Sequence, residues 1–369
     1  MTRNSVTTRL RKYISQVLPD AHGHQQKAVS DFVLALVTVQ SCCQAALARF
    51  FDNFESASKR LARLLHNERL STEELACAHA RALCAQLPLA GIVRLSLDWT
   101  IEDTQRLLIA SLRVGGRALP LYWRAYPDSE LKERMSLLER QFVRCLFGQV
   151  IGEVARRRLV LTADRRFACV DLLDVLDEMG ISFVIRTKSS HQVRCDGQWR
   201  RLDSFGWRGN QRRRAWGRVW YCAGDPRRLF LVQARARDRE GRWGIWHLLS
   251  NRNLSAQRMA REYALRFTCE EGFRDGKRLL GFAEARIKGI EAWARMFTLV
   301  AMALVVLTRL GCVLRERPNR DELLLRVRSR RRARSELSLV RAVLELLTQD
   351  GSLWQLLDHQ CRLNLEADL

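Results

Sequence analysis

Three acidic residues, far apart in the chain, stand where they could do chemistry. Asp98 closes the apolar run Leu95-Ser96-Leu97 and precedes Trp99-Thr100, and Asp164 closes Leu159-Val160-Leu161-Thr162-Ala163. An apolar run ending in Asp reads as a strand that delivers a carboxylate to the rim of a sheet, where α/β sheets bind ligands. Two such carboxylates offer hard oxygen donors to a divalent cation. Taken singly, either Asp reads better as a turn-former or a helix cap, and the third acid is what changes the balance. Tyr263, Arg266, Glu270 and Lys277 follow one another at intervals of three, four and seven residues. At about 100° per residue they share one helical face. A phenol, two cations and a carboxylate suit an apolar core poorly, and Leu265, Phe267 and Phe273 lie elsewhere on the helix. A solvated Arg266–Glu270 pair accounts for part of the stripe, at about a few tenths of a kcal/mol.

The elements that must position these residues follow from periodicity. Residues 92–98, 106–113 and 119–123, with a turn at Gly115-Gly116, predict an antiparallel meander. A helix over 129–146, a strand over 158–163, a helix over 168–179 and a strand over 181–186 come next. That order is the one found in an α/β, ribonuclease-H-like catalytic core. Before it, residues 1–88 read as a helical DNA-binding domain, with Arg9, Arg11, Lys12, Lys59, Arg60 and Arg63 among the apolar positions; a helical bundle with a wet face fits equally. The core's first part spans 89–189, a β-rich insertion 190–250, the helix carrying Glu270 251–295, and a C-terminal helical region 296–369, broken near Gly289, Pro318 and Gly351.

Composition names the partner class. Sparse Gly and Pro and 47% hydrophobic residues describe a folded chain, and a net charge of +23 points to a polyanion. Residues 191–250 hold 14 Arg against five acids, together with six of the ten Trp. Cations interleaved with aromatics suit a surface that follows phosphates and stacks on unpaired bases. Arg212, Arg213, Arg214, Trp216 and Trp243 are the candidate DNA contacts there. The run 326–334, with six Arg in nine residues, is a second candidate phosphate patch. The eleven Cys lack the short gaps of metal knuckles, and they suit a reduced compartment. The N-terminus has no apolar leader, and Met296–Leu307 is shorter than the roughly 20 residues of a membrane span. A buried helix there, no membrane, and a cytoplasmic, nucleoid-associated setting are the expectations.

Tyr-x2-Arg-x3-Glu-x6-Lys at 263–277 resembles the signature of a large group of bacterial insertion-sequence transposases of the DDE class. Leu-Asp-Trp-Thr around Asp98 and Ala-Asp-Arg around Asp164 are similar to that group's first two motifs, over a resemblance of about residues 90–295. One departure is Arg166, where the group commonly has Gly. The resemblance implies cut-and-paste transposition: cleavage of double-stranded DNA at inverted-repeat ends, a hairpin intermediate in many members, and strand transfer into target DNA by a homodimer. It also implies Asp98, Asp164 and Glu270 as catalytic metal ligands. Phosphodiester exchange of this kind suits two Mg²⁺ ions, or Mn²⁺ in their place, about 3.5–4 Å apart. Arg266, Lys277 and Tyr263 are expected to contact phosphates, and one insertion Trp to stack on a flipped base. A catalytically inactive transposase-derived DNA-binding protein and a ribonuclease-H-like nuclease remain the alternatives.

Overall fold

The computed structural model describes residues 3–102, 104–114, 116–152, 156–207, 211–237, 241–327 and 339–358. The basic run 326–334 lies almost wholly outside the described residues, as does Gly115 of the expected turn; Gly116 has a left-handed φ of 78°.

Five helices come first: α1 (Arg3–Val17), α2 (Gly23–Val39), α3 (Gln44–Arg49), α4 (Phe54–Leu65) and α5 (Thr72–Cys84). Asn53 and Ser71 cap α4 and α5 by accepting the backbone N–H groups of Ser56 and Glu74. The meander follows as β1 (Val93–Glu102), β2 (Gln105–Val114) and β3 (Arg117–Pro127). The single helix expected over 129–146 is two: α6 (Asp128–Leu131) and α7 (Met135–Cys145). The break falls at Glu133, whose φ of 64° is left-handed and cannot continue a helix. Next come β4 (Leu159–Ala163), α8 (Val170–Glu178) and β5 (Ser182–Thr187).

Strands β6 (Gln192–Cys195), β7 (Gln198–Arg201), β8 (Arg213–Tyr221), β9 (Arg227–Arg237) and β10 (Trp243–Ser250) make the β-rich segment. They do not form a separate sheet. All ten strands join in the order β3-β2-β1-β4-β5-β10-β9-β8-β6-β7. β10 adds antiparallel to β5, with Leu249 opposite Ile185, so the segment extends the sheet from its far edge. Among the described residues only the β1–β4 and β4–β5 pairings are parallel. The result is a mixed α/β protein whose first five strands are consistent with the ribonuclease-H-like order.

The remaining helices are α9 (Ala256–Leu265), α10 (Phe267–Arg274), α11 (Ile290–Arg315), α12 (Arg320–Val327) and α13 (Leu339–Gln349). The apolar segment expected to be short is a 26-residue helix, α11. By length and composition alone it could cross a membrane, yet 94% of its apolar window is packed inside the protein. It is the axis of the core, contacting α2, α4, α5, β3 and α13. One continuous apolar cluster runs from Val6 to Leu357, so the N-terminal helices share a core with the sheet. Arg295, buried in α11, donates to the carbonyls of Leu65 and Leu70 at 2.8 Å each and so ties α11 to the C-terminal end of α4.

Candidate active site

The parallel pairing of β1 with β4 sets the first two carboxylates side by side. Leu95 pairs with Leu161 and Leu97 with Ala163. Asp98 and Asp164 stand one step beyond that last pair, on strands that neighbour at about 4.8 Å. Asp98 is not at a strand end, as expected, because β1 runs on to Glu102 against β2. It sits instead at the level where β4 stops. Each Asp accepts a local backbone N–H that fixes its side chain: Trp99 to Asp98 Oδ1 at 3.0 Å and Arg166 to Asp164 Oδ1 at 2.8 Å. The second is an Asx-turn that a Gly is not needed to make.

Glu270 is brought in by α10, but the single continuous helix expected for the four-residue stripe is absent. α9 ends at Leu265, α10 begins at Phe267, and residues 275–279 form a π-helical turn, so 100° steps no longer relate Tyr263 to Lys277. Arg266, at the junction, is 7% exposed. Its Nη1 is 3.0 Å from Asp98 Oδ2 and its Nη2 3.3 Å from Glu270 Oε1, so one guanidinium links two of the three acids. Tyr263 is buried rather than displayed, packed between Trp246 and Phe267 with ring centroids 4.9 and 6.2 Å away. Lys277 is half-buried in the π-turn.

Gly272, two residues beyond Glu270, shows how closely α10 lies on the sheet: a Cβ there would stand 2.2 Å from the carbonyl oxygen of Ala118 in β3. Arg117 adds a clamp, 2.6 Å from Glu271 and 3.7 Å from Asp275. Gly272→Ala is therefore expected to push α10 off β3, lowering stability by about 1–3 kcal/mol and moving Glu270 from Arg266. A thermal melt and an activity assay of the same preparation check both.

Burial pushes the Asp98 carboxyl up to about 6; Arg266 opposes this, while Asp164 and Glu270 add to it. Asp164 and Glu270 thus stand near enough for their charges to act on Asp98. A set of three carboxylates suits a hard divalent cation. Among the described residues no three such donors already stand together at ligating distance, since Arg266 lies between Asp98 and Glu270. Cys269, beside Glu270, is no nucleophile, because burial pushes its thiol up to about 12.

The expected DNA contacts divide. Arg212 and Arg213 are exposed, whereas Arg214 lies 3.7 Å over the Trp216 ring. Trp216 is held edge-on against Phe205 and donates its indole N–H to Gln233 at 2.9 Å. Trp243 is 52% exposed, with the Arg235 and Arg237 guanidiniums 5.4 and 4.7 Å from its ring. In the N-terminal helices, His24, Arg60, Arg63, His66 and Arg69 line an open, basic cleft.

Three structural features have no local sequence signature. Arg94 in β1 donates twice to Glu262 in α9, at 2.8 and 3.0 Å, both side chains being buried. Glu139 in α7 accepts the indole N–H of Trp99 at 2.7 Å. Gly272 is the third, since a glycine two residues after an acid carries no pattern.

The fold and site thus define a mixed α/β protein with an acidic cluster at the rim of its parallel strands. Residues 146–306 match the family described as Transposase DDE domain, a stretch holding Asp164, Glu270 and all of the β6–β10 segment but not Asp98. The match supports a DDE transposase and a DNA substrate. Among curated proteins none matches the chain.

Proposed function

We propose that the chain is a DDE transposase of the group with the Tyr-Arg-Glu-Lys signature, cleaving DNA at transposon ends and joining the freed 3′ end to a target. The supporting observation is that Asp98 and Asp164 stand at one level on neighbouring parallel strands while Arg266 holds Glu270 to Asp98. In this reading the core is ribonuclease-H-like, and Asp98, Asp164 and Glu270 are the residues that would hold Mg²⁺ ions. Bound there, the ions would supply Lewis-acid activation of the attacking oxygen and neutralise charge on the transferred phosphoryl group. The protein's own part is positioning. Arg266, once released from the carboxylates, is the nearest cation to a phosphate beside the cut, and Lys277 a second. Trp243, exposed and flanked by guanidiniums, is the best placed indole to stack on an unpaired base. Two protomers, each holding one DNA end, would complete the complex in the bacterial nucleoid.

Purified protein, supercoiled plasmid and Mn²⁺ or Mg²⁺ test the reading. Metal-dependent nicking that Glu270→Gln abolishes is expected, together with joining of a labelled end to plasmid. Nicking without joining would make the chain a nuclease; DNA binding with no nicking in either metal would make it a non-catalytic relic. Trp243→Ala is expected to weaken binding of gapped or hairpin-ended DNA by about 1–3 kcal/mol while leaving intact duplex nearly unaffected. Fluorescence anisotropy on the two substrates checks it.

A further inference from the structure

We propose that Glu139 is a positioning residue of the acidic site, holding the stretch of β1 that carries Asp98 through the indole of Trp99. This rests on the reading of Asp98, Asp164 and Glu270 as metal ligands. Glu139 faces the core of α7 among Leu138, Phe142 and Val143, and is 2% exposed. For packing alone an apolar side chain would serve better, because a buried carboxylate must be compensated. Among the described residues no cation pairs with it directly, and its hydrogen bond comes from Trp99 Nε1 at 2.7 Å.

Its surroundings explain why an acid is placed there. Trp99 directly follows Asp98 and gives its own backbone N–H to that carboxylate. The indole is steadied on its other side by Tyr126, 5.7 Å between centroids. One residue thus touches Asp98 through the backbone and Glu139 through the side chain. The same helix reaches the second acid: Arg166, whose backbone N–H holds Asp164, extends its Nη1 to Met135 Sδ at 3.2 Å, one turn before Glu139. Glu139 also senses the charges of Arg166 and Asp164. Strand β1 at Asp98 and the turn at Asp164 are therefore both tethered to α7, and the Trp99–Glu139 bond is the buried tether. A partner bonded directly to a metal ligand is worth about 10–100-fold in metal affinity, and one that acts through the adjoining residue is expected at the lower end of that range.

Binding of Mn²⁺ to the full chain, followed by titration calorimetry without DNA, tests the proposal, with thermal melts showing which variants fold. Glu139→Leu is expected to weaken Mn²⁺ binding about 10-fold or more, and Trp99→Phe, which removes the indole donor along with part of the ring, to do likewise. The double variant should be no weaker than the weaker single, because both break one bond. Glu139→Gln keeps an oxygen for the indole and should recover most of the affinity, a rescue that lost packing would not produce. A folded Glu139→Leu or Trp99→Phe protein with wild-type Mn²⁺ affinity would overturn the proposal, as would a Gln variant as weak as Leu. Should Glu139→Leu fail to fold, Trp99→Phe and Glu139→Gln still decide. Wild-type protein that binds no Mn²⁺ would overturn the proposed function itself, and this inference with it.

Discussion

Asp98→Asn is expected to abolish plasmid nicking, by about 10³-fold or more, while leaving the metal-free protein at least as stable as the wild type. The loss follows from removing a charged donor where several kcal/mol of charge stabilisation is needed, at 1.36 kcal/mol per tenfold. The stability follows from the electrostatics of the three carboxylates. Burial, with Asp164 and Glu270 adding, raises the Asp98 carboxyl from 3.8 to about 6 despite Arg266. A rise of that size means its ionised form costs roughly 3 kcal/mol in the folded state. Folding prefers the protonated form, so this group's contribution is most favourable below pH 3.8 and is lost as pH rises through 6. Asn mimics the protonated form at every pH. With a chelator present, the melting temperatures of variant and wild type should nearly coincide near pH 4, separate between pH 4 and 6 and stay apart above it, the variant melting higher. Nicking that survives the substitution would remove Asp98 from the reaction. A variant that melts lower at pH 7.5 would mean that its bond to Arg266 outweighs burial.

The strands that carry the first two acids were legible because an apolar run closing on an acid is a local pattern, although β1 runs on past Asp98. Leu95 to Asp98 and Leu159 to Asp164 show the apolar run and the acid together. The alternation of β8 and β9 is as plain. The helix–strand order after the meander was readable from period alone, although Glu133 hid the break between α6 and α7. What failed was the assumption of ideal helical geometry from 263 to 277. Arg266, at the junction of α9 and α10, reaches across to Asp98, and a long-range ion pair of that kind leaves no periodic trace. Tyr263 was misplaced for the same reason, because Trp246, which helps bury it, lies on a strand 17 residues earlier in the chain. Likewise, nothing in the composition of residues 190–250 says whether they form their own sheet or extend another. That is decided by the pairing of β10 with β5. Glu139 and Glu262 carry no local pattern that sets them apart from other helix acids, since burial is a property of the assembled fold.

Glu262 carries the largest expected effect on stability. Its carboxylate meets the Arg94 guanidinium with two bonds, at 2.8 and 3.0 Å, and the side chains are only 3% and 9% exposed. The pair fastens α9 to β1, beside a small second core made by Val160, Val184, Val232, Leu248, Met259 and Tyr263. Glu262→Ala strands a buried guanidinium without its fork-shaped acceptor, which typically costs about 3–5 kcal/mol. Urea unfolding should show that loss as a lower midpoint with an unchanged slope. Replacing both partners by apolar residues, Arg94→Met with Glu262→Leu, removes the desolvation burden along with the attraction, and the double variant should regain most of the stability. Because α9 leads directly into Arg266 and α10, nicking should fall with Glu262→Ala and return with the double variant. A double variant that is stable yet inactive would show that the pair does more than fasten α9, and a Glu262→Ala protein as stable as wild type would show that α9 is held by its apolar face alone.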